Sequence, residues 1–139
     1  MNLSCLNPIS FSDTDISELR KLLESRDHVQ YLCNREMSGI WLHTEDYQAE
    51  LRLLILSTFR VTVSRVCFNR QRAGTMTAVL AWLTEFCQKH QIPTLVIQCV
   101  ETEAMIGWCN KNGFTPVPSA SCIVDGLLMG DYEKAVSCN

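Results

Sequence analysis

The sequence predicts an α/β fold in which helices cover both faces of a mixed β-sheet. Two strand patterns, ELRLLILS and RVTVSRVCF, follow each other across a short connector and predict an antiparallel hairpin. A strand–helix–strand pattern comes next, and such a unit forces its two strands to pair in parallel through a right-handed crossover. With 139 residues, of which 47% are hydrophobic, residues 1–139 are expected to form one domain with a real core.

The first element is a helix that carries its own start signal. Within SFSDTDISELRKLLESR, Ser12 and Asp15 have the spacing of a capping box, in which each side chain binds the other residue's backbone N–H. The apolar residues that follow recur at helical spacing and form one stripe: Ile16, Leu19, Leu22 and Leu23. The hydrophobic residues of segment 27–46 show no clear periodicity, and the segment suggests a short helix followed by a strand around residues 39–43.

The middle of the chain changes from strand to helix and back to strand. Counting by twos along RVTVSRVCF places Val61, Val63, Arg65 and Cys67 on one face, and Thr62, Ser64, Val66 and Phe68 on the other. From Thr75 the period becomes helical, and it continues to about His90. TLVIQCV is then apolar throughout, as expected of a strand that is covered on both faces.

The last part of the chain predicts a second helix and two closing strands. Thr102 is placed to cap the helix EAMIGWCNKN, and Gly113 supplies the left-handed residue that commonly follows a helix end. FTPVPSASCIVDGLLMGDYEKAV predicts two strands that are joined around residues 119–121, with the second near residues 126–132. The predicted sheet is therefore mixed and mostly antiparallel.

Composition and charge argue against several classes of function. The formal net charge of −3 does not favour binding to nucleic acid or to an anionic membrane, since both need a basic face. No apolar run approaches the roughly 20 residues that span a bilayer. The N-terminal residues lack the basic segment of a secretory signal. We therefore expect a cytoplasmic protein without nucleic-acid or membrane partners.

The eight cysteines predict neither a disulfide scaffold nor a metal site. No C-x-x-C or zinc-type spacing occurs, and the histidines are scattered through the chain. Cys67, Cys87 and Cys99 lie inside apolar patterns, where free cysteine behaves as a small hydrophobic residue. We expect reduced cysteines and no metal.

The segment between the parallel strand and its helix is suited to bind a phosphate. A helix start presents unpaired N–H groups and partial positive charge, and Gly74 lets another group approach the backbone closely. Arg70 and Arg72 add fixed positive charge, while Gln71 adds a neutral donor. Together they predict a phosphate or pyrophosphate cradle. The alternative is an ordinary strand-to-helix turn with solvated arginines.

This segment, QRAGTM, resembles the Q/R-x-x-G-x-G/A motif of the GCN5-related N-acetyltransferases. Met76 stands where the motif has its last glycine or alanine, and it can narrow the approach of the pyrophosphate. EAMIGWCNKNGF resembles the second conserved block of that family, and GLLMGDYEKAV resembles its last strand. Residues 60–114 match the family core well, whereas residues 1–50 match only in outline.

The resemblance implies that acetyl-CoA binds as a co-substrate in a wedge between two splayed parallel strands, here residues 61–68 and 94–100. The pantetheine arm would pair with the backbone of Val66 and Phe68, and the pyrophosphate would lie on the backbone amides of residues 71–76. The implied cofactor-binding residues are Val66, Cys67, Phe68, Gln71, Arg72, Ala73, Gly74, Thr75 and Met76.

Acetyl transfer to an amine needs a polarised carbonyl, a base for the amine and an acid for the departing thiolate. The resemblance assigns the first role to the backbone amide of Val66. It places Cys109 where the family often has its acid, a tyrosine, although a buried packing role is the competing interpretation. No glutamate occupies the first splayed strand, so the candidate bases are Glu50, Glu45, Asp46, His43 or a water, and Tyr132 can reach the same cleft.

The implied function is an N-acetyltransferase that transfers acetyl from acetyl-CoA to an amine on a protein or a small molecule. The alternative is a non-catalytic acetyl-CoA-binding module that regulates a protein partner, which the missing strand glutamate and Cys109 favour. A third possibility, supported by Met76 alone, is a structural domain that has lost the cofactor. We expect a monomer or a homodimer.

Overall fold

A computed structural model describes residues 8–70 and 74–137. Ten helices and strands occur in these residues, in the order α1 Asp13–Asp27, β1 Leu32–Glu36, β2 Gly39–His43, β3 Glu50–Leu56, β4 Arg60–Cys67, α2 Thr75–His90, β5 Thr94–Val100, α3 Glu103–Lys111, β6 Thr115–Val124 and β7 Leu127–Ala135. Within this part of the chain, no helix is long and apolar enough to cross a membrane.

The strands form one seven-stranded sheet in the order β1-β2-β3-β4-β5-β7-β6. β4 and β5 pair in parallel, and the other neighbouring strands pair antiparallel. The parallel pair is connected by α2, which provides the long crossover that parallel neighbours need. The predicted mixed, mostly antiparallel sheet with a parallel β-α-β core is therefore confirmed.

The predicted helix starts are confirmed by their cap geometry. Ser12 Oγ accepts a hydrogen bond from the backbone of Asp15 at 3.0 Å, and Ser12 N–H donates to the Asp15 carboxylate at 2.9 Å, so both halves of the capping box are present. Thr102 Oγ1 accepts from the backbone N–H of Met105 at 3.2 Å. α2 begins after Gly74, without a side-chain cap.

A bulge in β4 changes the faces that were predicted for its second half. Val63 pairs with Leu53 and Arg65 pairs with Arg52, so Ser64 is an extra residue without an opposite partner. As a result Val66, which pairs with Leu51, points to the same side as Val63, and Arg65 points to the other side. The prediction from alternation was wrong beyond Val63, because counting by twos assumes an unbroken ladder and a bulge inserts one residue.

The three described helices pack on one face of the sheet rather than on both. Trp82 Nε1 of α2 donates to Glu18 of α1 at 3.0 Å, and Trp108 Nε1 of α3 donates to Thr77 Oγ1 of α2 at 3.2 Å. The β4–α2–β5 and β5–α3–β6 connections advance in the same direction across the sheet, so right-handed crossovers place both helices on the same side. This face carries the sheet's buried apolar residues, among them Leu42, Leu51, Leu53, Val61 and Val63.

Two boundaries differ from the sequence prediction. Residues 27–46 contain a β1–β2 hairpin, so the expected strand at 39–43 is confirmed, while the suggested helix is wrong because residues 32–36 pair with β2. The final hairpin turns at Asp125 and Gly126, which have φ of 51° and 79°, and not at 119–121. Asp-Gly is a strong signal for a two-residue hairpin loop, because both positions require positive φ.

Candidate functional site

β4 and β5 separate at one end of the sheet and leave a gap. They pair from Arg60 with Thr94 to Val63 with Ile97, and the described residues form no β4–β5 pair beyond that point although both strands continue. The end of β4 stays paired with β3, and the end of β5 stays with β7, where Cys99 N–H donates to Asp131 Oδ1 at 3.0 Å. The two strands are therefore held by different neighbours, and the backbone between them is available to another extended chain.

The predicted cofactor residues Val66, Cys67 and Phe68 lie along this gap. Val66 and Phe68 are half-buried and pack against the hydrophobic core, and Cys67 is exposed. The contact of Val66 and Phe68 with a pantetheine arm stays a prediction, and so does the role of the Val66 amide. The structure places all three residues where β4 has lost its parallel partner.

The start of α2 lies directly after the end of β4. Gly74 is the N-cap residue, with φ of 75°, and it is exposed. Thr75 is buried, and its Oγ1 has no hydrogen-bond partner among the described residues. A buried hydroxyl without a partner is costly, so a ligand atom at this position would satisfy it. Gln71, Arg72 and Ala73 lie outside the described residues, and their part in the cradle stays a prediction.

The Met76 side chain lies in the first turn of α2. It is half-buried and packs against the hydrophobic core. Its effect on the approach of the pyrophosphate stays a prediction.

Sequence reasoning missed one basic residue at this position, Arg26 of α1. A Cβ atom added to Gly74 would lie 3.3 Å from the Arg26 guanidinium, so that cation lies beside the N-cap of α2. The two residues are distant in sequence, and no local pattern around Arg26 indicates the contact.

The candidate acids Cys109 and Tyr132 are placed together in the core. Cys109 is fully buried in α3, and burial raises the pKa of its thiol to about 12. Tyr132 is buried on β7, where its hydroxyl donates to the Leu128 carbonyl at 2.6 Å. Burial also raises the pKa of Tyr132, with a smaller contribution from Cys109. Neither group opens onto the gap surface, so packing is the interpretation that the geometry favours for Cys109.

Glu50 is the candidate base that lies closest to the end of β4. It is the first residue of β3 and pairs in register with Cys67. Its Oε1 accepts hydrogen bonds from Trp41 Nε1 at 2.9 Å and from Arg65 Nε at 3.0 Å. These partners lie on the face opposite the helices, and β4 lies between Glu50 and the gap.

The other candidate bases are held in local contacts. His43 is buried, and its Nδ1 donates to the Thr44 carbonyl at 2.8 Å, which leaves Nε2 to accept from Asn34 at 3.1 Å. Asp46 accepts from Thr44 Oγ1 at 2.7 Å and from Gln48 N–H at 3.1 Å, and these hydrogen bonds, that from Thr44 first, lower its pKa. Glu45 is exposed.

An open cavity of 790 Å³ adjoins the same end of the sheet. Its wall includes Val29 and Gln30 from the α1–β1 connection, Glu45 and Asp46 from the β2–β3 loop, and Asn69 after β4. The described lining carries two carboxylates and no basic side chain. In residues 8–70 and 74–137, no group of three or more His, Cys, Asp or Glu side chains is placed to hold a metal ion.

Several solved structures align with this fold. The ribosomal-protein-S18-alanine N-acetyltransferase from Escherichia coli aligns with a TM-score of 0.52 at 17% identity, over 96% of this chain and 95% of that chain. Ard1 from Thermoplasma volcanium aligns with a TM-score of 0.51 at 11% identity, over 97% of this chain and 86% of that one. Nourseothricin acetyltransferase aligns with a TM-score of 0.52 at 14% identity over 70% of this chain, and the match spans 64% of its own length, slightly less than two thirds.

No family model matches the sequence, and no curated protein matches it. The likeness is therefore one of structure, at identities at which only the fold is carried over. The chain has the fold of the GCN5-related N-acetyltransferases.

Proposed function

We propose that the protein is an N-acetyltransferase that moves an acetyl group from acetyl-CoA to an amine. The observation that carries this proposal is the gap between β4 and β5, which opens directly beside the N-terminus of α2. An extended thioester arm fits the unpaired strand backbone, and a phosphate group fits the helix start. Few ligands combine both features, and acetyl-CoA is one that does.

The residues present fit the phosphates of the cofactor. The helix start supplies N–H donors and partial positive charge. The guanidinium of Arg26 lies beside Gly74, where it adds positive charge to the helix start. We assign the pyrophosphate to this cradle, together with the predicted contributions of Gln71, Arg72 and Ala73.

The reaction needs three events at the end of the gap. The amine gives up a proton and attacks the thioester carbon, the carbonyl oxygen takes up negative charge, and the C–S bond breaks as the thiolate leaves and is protonated. We assign charge stabilisation to the Val66 amide and the base to Glu50. Burial raises the pKa of the Cys109 thiol to about 12, which makes it a poor proton donor, so we assign the last proton to solvent rather than to Cys109.

We infer that the acceptor amine enters from the cavity beside β4. Glu45 and Asp46 on its wall give it negative charge, which favours an amine that arrives protonated. The acceptor can belong to a protein or to a small molecule.

The proposal is tested first by binding and then by turnover. At a concentration one hundred times its Kd, acetyl-CoA should add about 2.7 kcal/mol to the free energy of unfolding. A panel of protein, peptide and small-molecule amines should then include at least one that releases free CoA, measured with a thiol reagent. A chain that binds neither acetyl-CoA nor CoA would refute the proposal.

A binding module is the second candidate function. It is favoured because β4 carries no carboxylate and because the position of the usual acid is occupied by a buried cysteine. Such a module would bind acetyl-CoA with the same stabilisation but would release no CoA with any amine in the panel. The turnover assay therefore separates the two functions.

Cys109 gives a prediction about the acid. If its role is packing, Cys109→Ala and Cys109→Ser should both keep turnover near that of the parent. Cys109→Ser should lower the free energy of unfolding by about 1–3 kcal/mol, because it buries a hydroxyl without a designed partner. Denaturant unfolding and CoA release measure the two quantities. A serine variant as stable as the parent but roughly 10²–10⁴-fold slower would assign the acid role to Cys109 instead.

A further inference from the structure

The C-terminal end of α1 is hydrogen-bonded to the residues that lead into residues 71–73, which are called the cofactor loop. Asp27, the last residue of α1, is fully buried. Its carboxylate accepts hydrogen bonds from the backbone N–H groups of Asn69 at 2.8 Å and Arg70 at 2.5 Å, and from the hydroxyl of Tyr31 at 2.6 Å. Three donors therefore converge on one buried carboxylate. Two of them are the backbone N–H groups of consecutive residues that follow β4.

This arrangement is costly for the helix on its own. A carboxylate in the last turn faces the negative end of the helix dipole, and a buried carboxylate is tolerated only when donors replace its water. The packing of α1 comes from other residues, since Ile16, Leu19 and Leu23 are buried on its apolar stripe. What Asp27 adds is a fixed position for the backbone of Asn69 and Arg70, immediately before residues 71–73.

A second set of bonds supports the same segment. Asn69 Nδ2 donates to the Asp27 carbonyl at 3.3 Å, and the Arg70 guanidinium donates to the Arg26 carbonyl at 3.3 Å. Both backbone atoms belong to the end of α1, whose Arg26 guanidinium lies beside Gly74. The last turn of α1 thus contacts the chain on both sides of the cofactor loop.

We propose that Asp27 is the positioning residue of the cofactor loop and that Tyr31 supports the Asp27 carboxylate. This inference rests on the proposed acetyl-CoA site. Asp27 occupies the N–H groups of Asn69 and Arg70, so these two donors are not available to the phosphates. It also fixes the direction in which the chain leaves β4. Without this anchor the backbone of Asn69 and Arg70 keeps its binding arrangement for only part of the time, and the apparent affinity falls by that fraction.

The test compares cofactor affinity in matched variants. Asp27→Asn keeps the shape of the side chain but places an amide group among three donors, and it should raise the Kd of acetyl-CoA about tenfold. Tyr31→Phe removes one donor and should raise it about threefold. Adenosine 3′,5′-bisphosphate, which carries phosphates but no pantetheine, should lose affinity by the same factors. Equal losses would show that the effect lies at the part of the site shared by the cofactor and this fragment, and not at the pantetheine arm.

Ile40→Val, a buried change in β2, is the stability control, and its Kd should stay within about twofold of the parent. All measurements use a temperature at which each variant is folded. If Asp27→Asn does not fold, the Kd of Tyr31→Phe alone tests the positioning role. Parental affinity in both Asp27→Asn and Tyr31→Phe, or an equal loss in the control, would overturn the positioning role. If the parent itself binds neither acetyl-CoA nor the bisphosphate, the proposed function fails and this inference fails with it.

Discussion

Replacing Gly74 by glutamate is expected to raise the Kd of acetyl-CoA by at least about 100-fold, which corresponds to roughly 2.8 kcal/mol. Gly74 has φ of 75° at the N-cap of α2, and a side chain there meets the Arg26 guanidinium at 3.3 Å. The new carboxylate would pair with Arg26 and place negative charge where the phosphates bind. Repulsion between two unit charges 4 Å apart near a protein surface is about 4 kcal/mol, enough for this loss. Isothermal titration of the folded variant measures it.

Gly126→Glu is the matched control for this change. Gly126 has a similar φ of 79°, lies in the exposed β6–β7 turn, and has no atom within 4 Å of an added Cβ. Both variants therefore suffer the same kind of backbone strain, but only one adds charge at the helix start. The control should bind acetyl-CoA as the parent does. A folded Gly74→Glu variant that titrates like the parent would place the phosphates elsewhere.

Neutralising Glu50 is expected to have the largest effect on the chemical step. As the base for the amine, Glu50→Gln should lower kcat by roughly 10²–10⁴-fold while the Kd of acetyl-CoA changes little. The amide oxygen can still accept from Trp41 Nε1, so the local structure should be retained. Single-turnover measurements at saturating acetyl-CoA separate the chemical step from binding.

Glu36→Gln provides the comparison for Glu50. Glu36 also pairs with an arginine on the open face of the sheet, since Arg52 donates to its two oxygens at 2.7 and 2.8 Å, but it lies on the edge strand β1. It should keep parental kcat. A similar loss in both variants would indicate a general effect of surface charge, and parental kcat in Glu50→Gln would remove it from the mechanism and leave a water as the base.

The candidate site was predictable from the sequence only in part. Gly74 at a strand-to-helix junction predicted a phosphate cradle, and its place at the start of α2 was predictable because a glycine before a helical period is a local signal. Arg26 and Asp27 were not found, since they reach the loop from a helix more than forty residues earlier. A buried packing role for Cys109 was one of the two interpretations drawn from the sequence, but its neighbour Tyr132 was not foreseen, because spacing along α3 does not reveal which face meets β7.

The sequence by itself determined the elements: the capping box of Ser12 and Asp15, the β3–β4 hairpin, the β4–α2–β5 crossover and the glycine at the start of α2. These features depend on short-range periods and on the φ preferences of single residues, so they are contained in the local sequence. Only the tertiary structure decided the bulge at Ser64, the single helical face and the position of Glu50 beside Cys67. Strand register and crossover direction are set by pairing with distant segments, and no local pattern encodes a distant partner.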